Sequence, residues 1–168
     1  MSAVKHREQR VGVLIDTQNL YHSAKHLYGG RVNFKEVLKS AVAGRKLIRA
    51  VAYVIKTEGN EEKSFFDALT KLGIEMRVKD LQVFPGGVKK GDWDVGLAVD
   101  AVRLAPQLDA IVLITGDGDF VPLVEYLKFN HGLQVEVMSF ERSASNKLLE
   151  AADDFIDLGK GTQHLLIK

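Results

Sequence analysis

Five stretches of this chain run almost continuously apolar and are rich in Val, Ile and Leu: Val11–Ile15, Ile48–Ile55, Ile74–Val83, Ala110–Ile114 and Gln134–Met138. Runs of this kind are strands covered on both faces, as in a parallel sheet. The third differs. Ile74, Met76 and Val78 alternate with Glu75, Arg77 and Lys79, the pattern of a sheet edge. Helical periodicity fills the gaps, at approximately Leu20–Tyr28, Asn33–Ala43, Glu61–Leu72, Trp93–Leu104, Val121–Asn130 and Ala144–Ala152. Gly73 and Gly132 follow two of these, where a C-terminal glycine belongs, and Ser143 and Asn33 are N-cap candidates. Strands alternating with helices predict βαβ units, hence an α/β fold with a mostly parallel central sheet and helices on both sides. Phe155–Leu158 is a candidate last strand. Phe84–Asp92 holds three glycines, a proline and two lysines and predicts a long flexible loop.

Composition narrows the function classes. The chain has 168 residues, enough for one domain with a real core, and 46% of them are hydrophobic. It has no cysteine, which excludes disulfides, thiolate catalysis and cysteine zinc sites. No run is apolar and long enough to span a bilayer, and the polar first ten residues lack a signal core, so a cytoplasmic protein with no membrane partner is expected. The net charge of +1 gives the whole molecule no pull on a polyanion. Local charge is different. Lys56, Lys89, Lys90, Arg142 and Lys147 fall near predicted strand ends, among acids. A homo-oligomer is compatible with this composition.

Those acids are the candidate chemistry. Val11–Ile15 ends in Asp16, and Ile111–Ile114 runs into Thr115-Gly116-Asp117-Gly118-Asp119-Phe120. Ligands of parallel sheets bind beyond the strands' carboxyl ends, where the strand order reverses. If these two strands are neighbours, Asp16 and Asp117 converge, and Asn19, one helical turn after Asp16, faces the same cleft. Asp92 and Asp94 stand at a predicted helix N-terminus, which favours carboxylates by its dipole and free N–H groups. Asp92 is read mainly as a cap. Asp100, six residues beyond Asp94, is rotated by about a third of a turn and sits roughly 9 Å further along the helix, a structural position. Carboxylates without His or Cys suit a hard divalent cation, Mg²⁺ or Mn²⁺. A Gly-Asp-Gly-Asp turn alone says little, since turns collect these residues. Several acids at independent rim positions say more.

Taken together, these segments resemble the NYN domain family, the LabA-like branch of the PIN-like ribonuclease superfamily. The matching elements are Val13–Leu20, Lys90–Ala101, the strongest at Thr115–Leu123, then Gly132–Val137 and Ser143–Phe155. Thr115 stands where serine is usual, and the hydroxyl is retained. The resemblance implies a three-layer α/β/α sandwich, PIN-like and Rossmann-like, over residues 10–158, leaving 1–9 as a flexible N-terminal arm and 159–168 as a C-terminal tail. It implies an acidic pocket holding Mg²⁺ or Mn²⁺, RNA as partner, and metal-activated water hydrolysing phosphodiester bonds in the manner of an endoribonuclease. Asp16, Asp94, Asp117 and Asp119 are then the metal-site acids and Asn19 their polar partner in catalysis. Thr115 joins the substrate-binding set with Lys89 and Lys90, placed to hold flanking phosphates. Arg142 and Lys147 are weaker candidates for the same task.

Other readings compete. A phosphatase of the haloacid dehalogenase type also uses a strand-end Asp, but it wants an acid two residues later, where this chain has Gln18. A catalytically silent RNA-binding or scaffold module keeps the fold without the reaction. His22 and His26 share one helix face but lack a third ligand, so a surface histidine pair is the simpler reading. Trp93, Phe120 and Phe129 could stack bases, but they sit at apolar helix positions, which ordinarily means core, with Phe120 under the pocket floor. Gly86-Gly87 lacks the Gly-Lys-Ser/Thr ending of a nucleotide-phosphate loop.

Overall fold

The structure is a computed structural model and describes residues 3–56, 62–87, 89–160 and 166–167. Its centre is a six-stranded, all-parallel sheet built from β1 (Arg10–Asp16), β3 (Lys46–Lys56), β4 (Glu75–Asp80), β7 (Ala110–Ile114), β8 (Gln134–Ser139) and β9 (Asp154–Asp157). The spatial order is β4-β3-β1-β7-β8-β9. From β1 the chain builds outward through β3 to β4, then returns to the other side of β1 and builds outward again. The reversal lies between β1 and β7, where Ile15 pairs with Ile114. The crevice above this pair is where such sheets bind ligands.

The apolar runs form these strands because both faces are covered. Val13, Ile15, Val112 and Ile114 point to one side, against α1 (Thr17–Tyr28), α2 (Phe34–Val42) and α3 (Glu62–Lys71). Leu14, Ile111, Leu113 and Val137 point to the other, against α4 (Asp94–Leu104), α5 (Val121–His131) and α6 (Asn146–Ala151). The result is the three-layer α/β/α sandwich expected from the sequence. Each fully buried Leu, Ile or Val in these layers contributes about 1.5–3 kcal/mol of transfer free energy. No helix among the described residues is long and apolar enough to cross a membrane.

Several boundaries differ from the pattern. The amphipathic third strand does lie at an edge, but β4 stops at Asp80. Gln82–Val83 (β5) leaves the sheet and pairs antiparallel with Lys89–Lys90 (β6). The segment expected to be a flexible loop is therefore a short hairpin turned at Gly86 and Gly87, both at positive φ, which glycine adopts without steric cost. Leu166–Ile167 (β10) pairs with Arg31–Val32 (β2), so the tail returns to the body. Asn33 caps α2 through Glu36 N–H, as expected, whereas the last helix is preceded by Ser145 rather than Ser143.

Residues read as a mobile arm lie against the end of the sheet opposite the crevice. Lys5 Nζ is 3.3 Å from Asp154 Oδ2 and 3.7 Å from Glu136 Oε1. Arg45 grips the fully buried Glu136 with Nη1 and Nη2, at 2.7 and 2.9 Å, and donates from Nη2 to Ala41 O and from Nε to Val42 O. A buried ion pair persists only when further hydrogen bonds satisfy it, as here.

Candidate active site

Asp16 ends β1 and caps α1 at once. Its Oδ1 accepts Asn19 N–H at 3.3 Å, and its Oδ2 accepts the Thr115 hydroxyl at 2.9 Å. That immediate cap is why α1 begins at Thr17, not Leu20. It places Asn19 one turn on, where Oδ1 accepts Gly116 N–H at 2.9 Å. The N-terminal turn of α1 is thus tied across to the turn after β7. Within that turn, Thr115 Oγ1 accepts Asp117 N–H at 3.2 Å, and Asp117 Oδ1 accepts Asp119 N–H at 2.9 Å. The last bond caps the 3₁₀ turn Gly118–Phe120 that leads into α5. Phe120 is buried beneath it, as expected.

Asp94 arrives from the other side, as the first residue of α4. Its N–H donates to Asp92 Oδ1 at 3.1 Å, but the N-cap position itself is Trp93, so Asp92 braces the helix start from one residue before the cap expected of it. One carboxylate oxygen from each of Asp94, Asp117 and Asp119 lies within 4.8 Å of the others. Asp16 and Asn19 line the same cleft of about 400 Å³. The structure thus gathers all five sequence-selected residues, three acids at mutual ligand distance and Asp16 beside them with both oxygens hydrogen-bonded. Thr115 lies behind Asp16. The side chains of Lys89 and Lys90 are outside what is described.

This concentration of charge shifts proton affinities. Burial pushes the Asp94 carboxyl up to about 7, and the charges of Asp117, Asp92 and Asp16 add to it. Asp16 is also raised, by burial first, while the Asn19 amide and Thr115 hydroxyl pull against the rise. Among the described residues none of Asp16, Asp92, Asp94, Asp117 and Asp119 is in an ion pair. An all-oxygen donor set with a charge surplus fits a hard divalent cation.

The cleft has other walls that sequence reasoning assigned elsewhere. His22 lines it, together with Ser23, Tyr53 and Trp93. His22 does stack on His26, with ring centroids 6.3 Å apart, but it also stands three residues after Asn19 on the same helix face. That offset was the available signal. Tyr53 donates to Asp100 Oδ2 at 2.8 Å, and Arg77 holds both Asp100 oxygens at 2.8 and 2.9 Å. Burial and that hydrogen bond raise the Tyr53 phenol, so it stays neutral. Asp100 thus has a structural role. Trp93 is not free in the core: its Nε1 donates to Val54 O at 2.9 Å, and Lys79 Nζ sits 4.4 Å from its ring centroid. Phe129 is a correction, 79% exposed rather than buried. Gln18 lines the cleft where a dehalogenase-type phosphatase would need its second acid.

A doubly wound α/β sandwich with clustered carboxylates at its strand-order reversal defines a class: a PIN-like nuclease fold. Within that class, the NYN domain model matches residues 10–159, and the chain belongs to the NYN domain family. It is 29% identical over 161 residues to the Low amplitude and bright protein LabA of Synechococcus elongatus, covering 90% of this chain and 85% of that protein. An uncharacterized protein of Methanocaldococcus jannaschii is 28% identical over 161 residues, and this chain spans 58% of its length. Among solved structures, a Vibrio parahaemolyticus protein of unknown function superposes with a TM-score of 0.88 at 28% identity, over 98% of this chain and all of the other.

Proposed function

We propose that this protein is a metal-dependent ribonuclease that hydrolyses RNA phosphodiester bonds. The observation that carries the reading is the set Asp94, Asp117 and Asp119, with oxygens within 4.8 Å and no cationic side chain paired to them among the described residues. These three would hold Mg²⁺ or Mn²⁺, with Asp16 beside them. Such an ion would supply Lewis-acid stabilisation of phosphate charge and would lower the pKa of a water bound to it. The chain's own residues supply position. Asp16 is fixed by Asn19 N–H and Thr115 Oγ1, so it faces the cleft in one orientation. Asn19 Oδ1 is spent on Gly116, which leaves the amide NH₂ for the cleft as a donor to a phosphate oxygen. Lys89 and Lys90 are assigned to flanking phosphates on sequence grounds. Membership of the NYN family supports nucleic acid as the substrate class.

The test is cleavage of labelled RNA by purified protein. Cutting should require Mn²⁺ or Mg²⁺, stop with EDTA, and be lost in Asp117→Asn. An Asp117→Asn protein that cuts at the unaltered rate would refute the site. RNA binding without cutting would favour the silent module.

A further inference from the structure

The cleft is acidic on only part of its wall. Asp92, Asp94, Asp117 and Asp119 come from the start of α4 and the turn after β7, whereas α1, which lines the cleft too, has no Asp or Glu in its 12 residues. Two of the side-chain donors lining the cleft are spent, Tyr53 O–H on Asp100 and Trp93 Nε1–H on Val54 O. The others, Gln18, Asn19, His22 and Ser23, all stand on the first two turns of α1. Asn19, His22, Ser23 and His26 recur at i, i+3, i+4 and i+7, one face of the helix, while Leu20 and Ala24 turn to the core.

His22 is the exposed member of this row nearest Asn19, and among the described residues it makes no hydrogen bond or ion pair. Two rings brace it: Tyr21 meets it edge-on at 5.9 Å and His26 stacks on it at 6.3 Å. An imidazole keeps at least one N–H in either protonation state, so a donor stands there at any pH. Ser23 Oγ accepts from Ser143 Oγ at 3.0 Å, which leaves its own proton to donate and ties this wall to the loop after β8. An RNA strand brings one negative charge per linkage. The scissile phosphate would meet a cation at the acids, but its neighbour has none and is repelled from the acidic side. Free donors for it stand on α1, about 4.5–6 Å along the helix from Asn19, a step of the order of one nucleotide. We infer that His22 and Ser23 bind the phosphate next to the scissile one, so that the RNA backbone leaves the cleft along α1. This rests on the nuclease reading above.

The test steps a single methylphosphonate, an uncharged linkage, through each position of an oligoribonucleotide. Binding is read by fluorescence anisotropy in the Asp117→Asn background, and kcat and KM are read with Asp117 intact. At one linkage beside the cut, the methylphosphonate should weaken binding about tenfold. His22→Ala should cost the intact strand a similar factor, and with His22 gone that linkage should become no worse than the others, the coupling of a double-mutant cycle. Ser23→Ala should act at the same linkage, more weakly. His22→Ala should raise KM and keep kcat, as expected of binding that is the same in the ground and transition states. If RNA is cut and His22→Ala keeps the full methylphosphonate penalty, the assignment fails and the nuclease reading stands. A fall in kcat with KM unchanged would place His22 at the reacting atoms and overturn the inference. So would loss of Mn²⁺ binding by His22→Ala in calorimetry without RNA, which would make the histidine a metal ligand. If the unaltered protein neither binds nor cuts RNA, both readings fail.

Discussion

Neutralising Asp117 should stabilise the metal-free protein while removing its response to metal. At 4.8 Å, two carboxylates repel by about 1 kcal/mol in water and about 3.5 kcal/mol at an effective dielectric of 20. Asp117 has two such neighbours, Asp94 and Asp119, and a third carboxylate, Asp16, in the same cleft. Two effects reduce the gain. The cleft is open to solvent, and Asp94, with its affinity near 7, is already partly protonated at neutral pH. Losing a negative charge at the N-terminus of the Gly118–Phe120 turn also costs about 0.3–1 kcal/mol. Asn keeps the Oδ1 that accepts Asp119 N–H at 2.9 Å, so the cap survives. The balance at pH 8 is about 1–2 kcal/mol in favour of Asp117→Asn, or about 3–6 °C in Tm for a chain of this size.

The assay is thermal unfolding at pH 8, in EDTA and in Mn²⁺. In EDTA the variant should melt above the unaltered protein. Metal that binds only the folded state stabilises by about 2.7 kcal/mol at one hundred times its dissociation constant. The unaltered protein should gain that and the variant much less, so the two orders of stability cross. A variant that melts lower in EDTA would refute the charge-repulsion account. Equal gains from Mn²⁺ would refute Asp117 as part of the metal site.

Stability without metal should fall as pH rises. Asp94 holds its proton in the folded state up to about 7 but releases it near 4 when unfolded, so the folded state binds more protons between those values. The favourable contribution is complete below pH 4 and is lost through pH 7, about 1–2 kcal/mol after allowing for solvent screening at this half-exposed group. Melting curves in EDTA from pH 5 to 8 should show the decline, and Asp94→Asn should flatten it. Glu136→Ala strands the Arg45 guanidinium in the interior and should cost about 3–5 kcal/mol in urea unfolding, with Arg45→Met restoring much of it. Gly116→Ala would put a Cβ 2.7 Å from Ser139 Oγ and 3.1 Å from Ala144 Cα. It should displace the Asp117 turn and lower cleavage more than it lowers Tm, and Ser139→Ala should recover only part, since the Ala144 contact remains.

What could be read from sequence follows the range of the interactions. β1 and β7 announce themselves because both faces of each are buried, so the run Val11–Ile15 and all of Ala110–Ile114 are apolar. Asp16 and Asp117 follow from them, since a charge can end such a strand only at its rim. The β5–β6 hairpin was hidden because each arm is two residues long, too short to show alternation. Phe129 was misplaced because helical periodicity identifies an apolar stripe without saying what it faces. The Lys5–Glu136–Arg45 cluster joins residues up to 131 positions apart, and no local pattern encodes that pairing. His22 could have been found by its offset from Asn19, but its spacing from His26 suggested a self-contained pair.

The hydrogen bonds divide the acids into two kinds. Asp16 has both oxygens satisfied from within the chain, and through Thr115 and Asn19 it ties α1 and the end of β1 to the turn after β7. Those bonds offset its burial and hold it ionised more readily than burial alone would allow. Asp94 has no such support. Its N–H donates to Asp92 Oδ1, which braces the start of the helix and leaves the carboxyl facing the charges of Asp117, Asp92 and Asp16. A carboxyl in that position either keeps a proton or meets a cation. Fold stability alone gives no reason to place it there, because an uncharged residue such as Asn would begin the helix without the repulsion. Asp94 therefore points to function more directly than Asp117 of the Gly-Asp-Gly-Asp turn, which also caps a 3₁₀ segment.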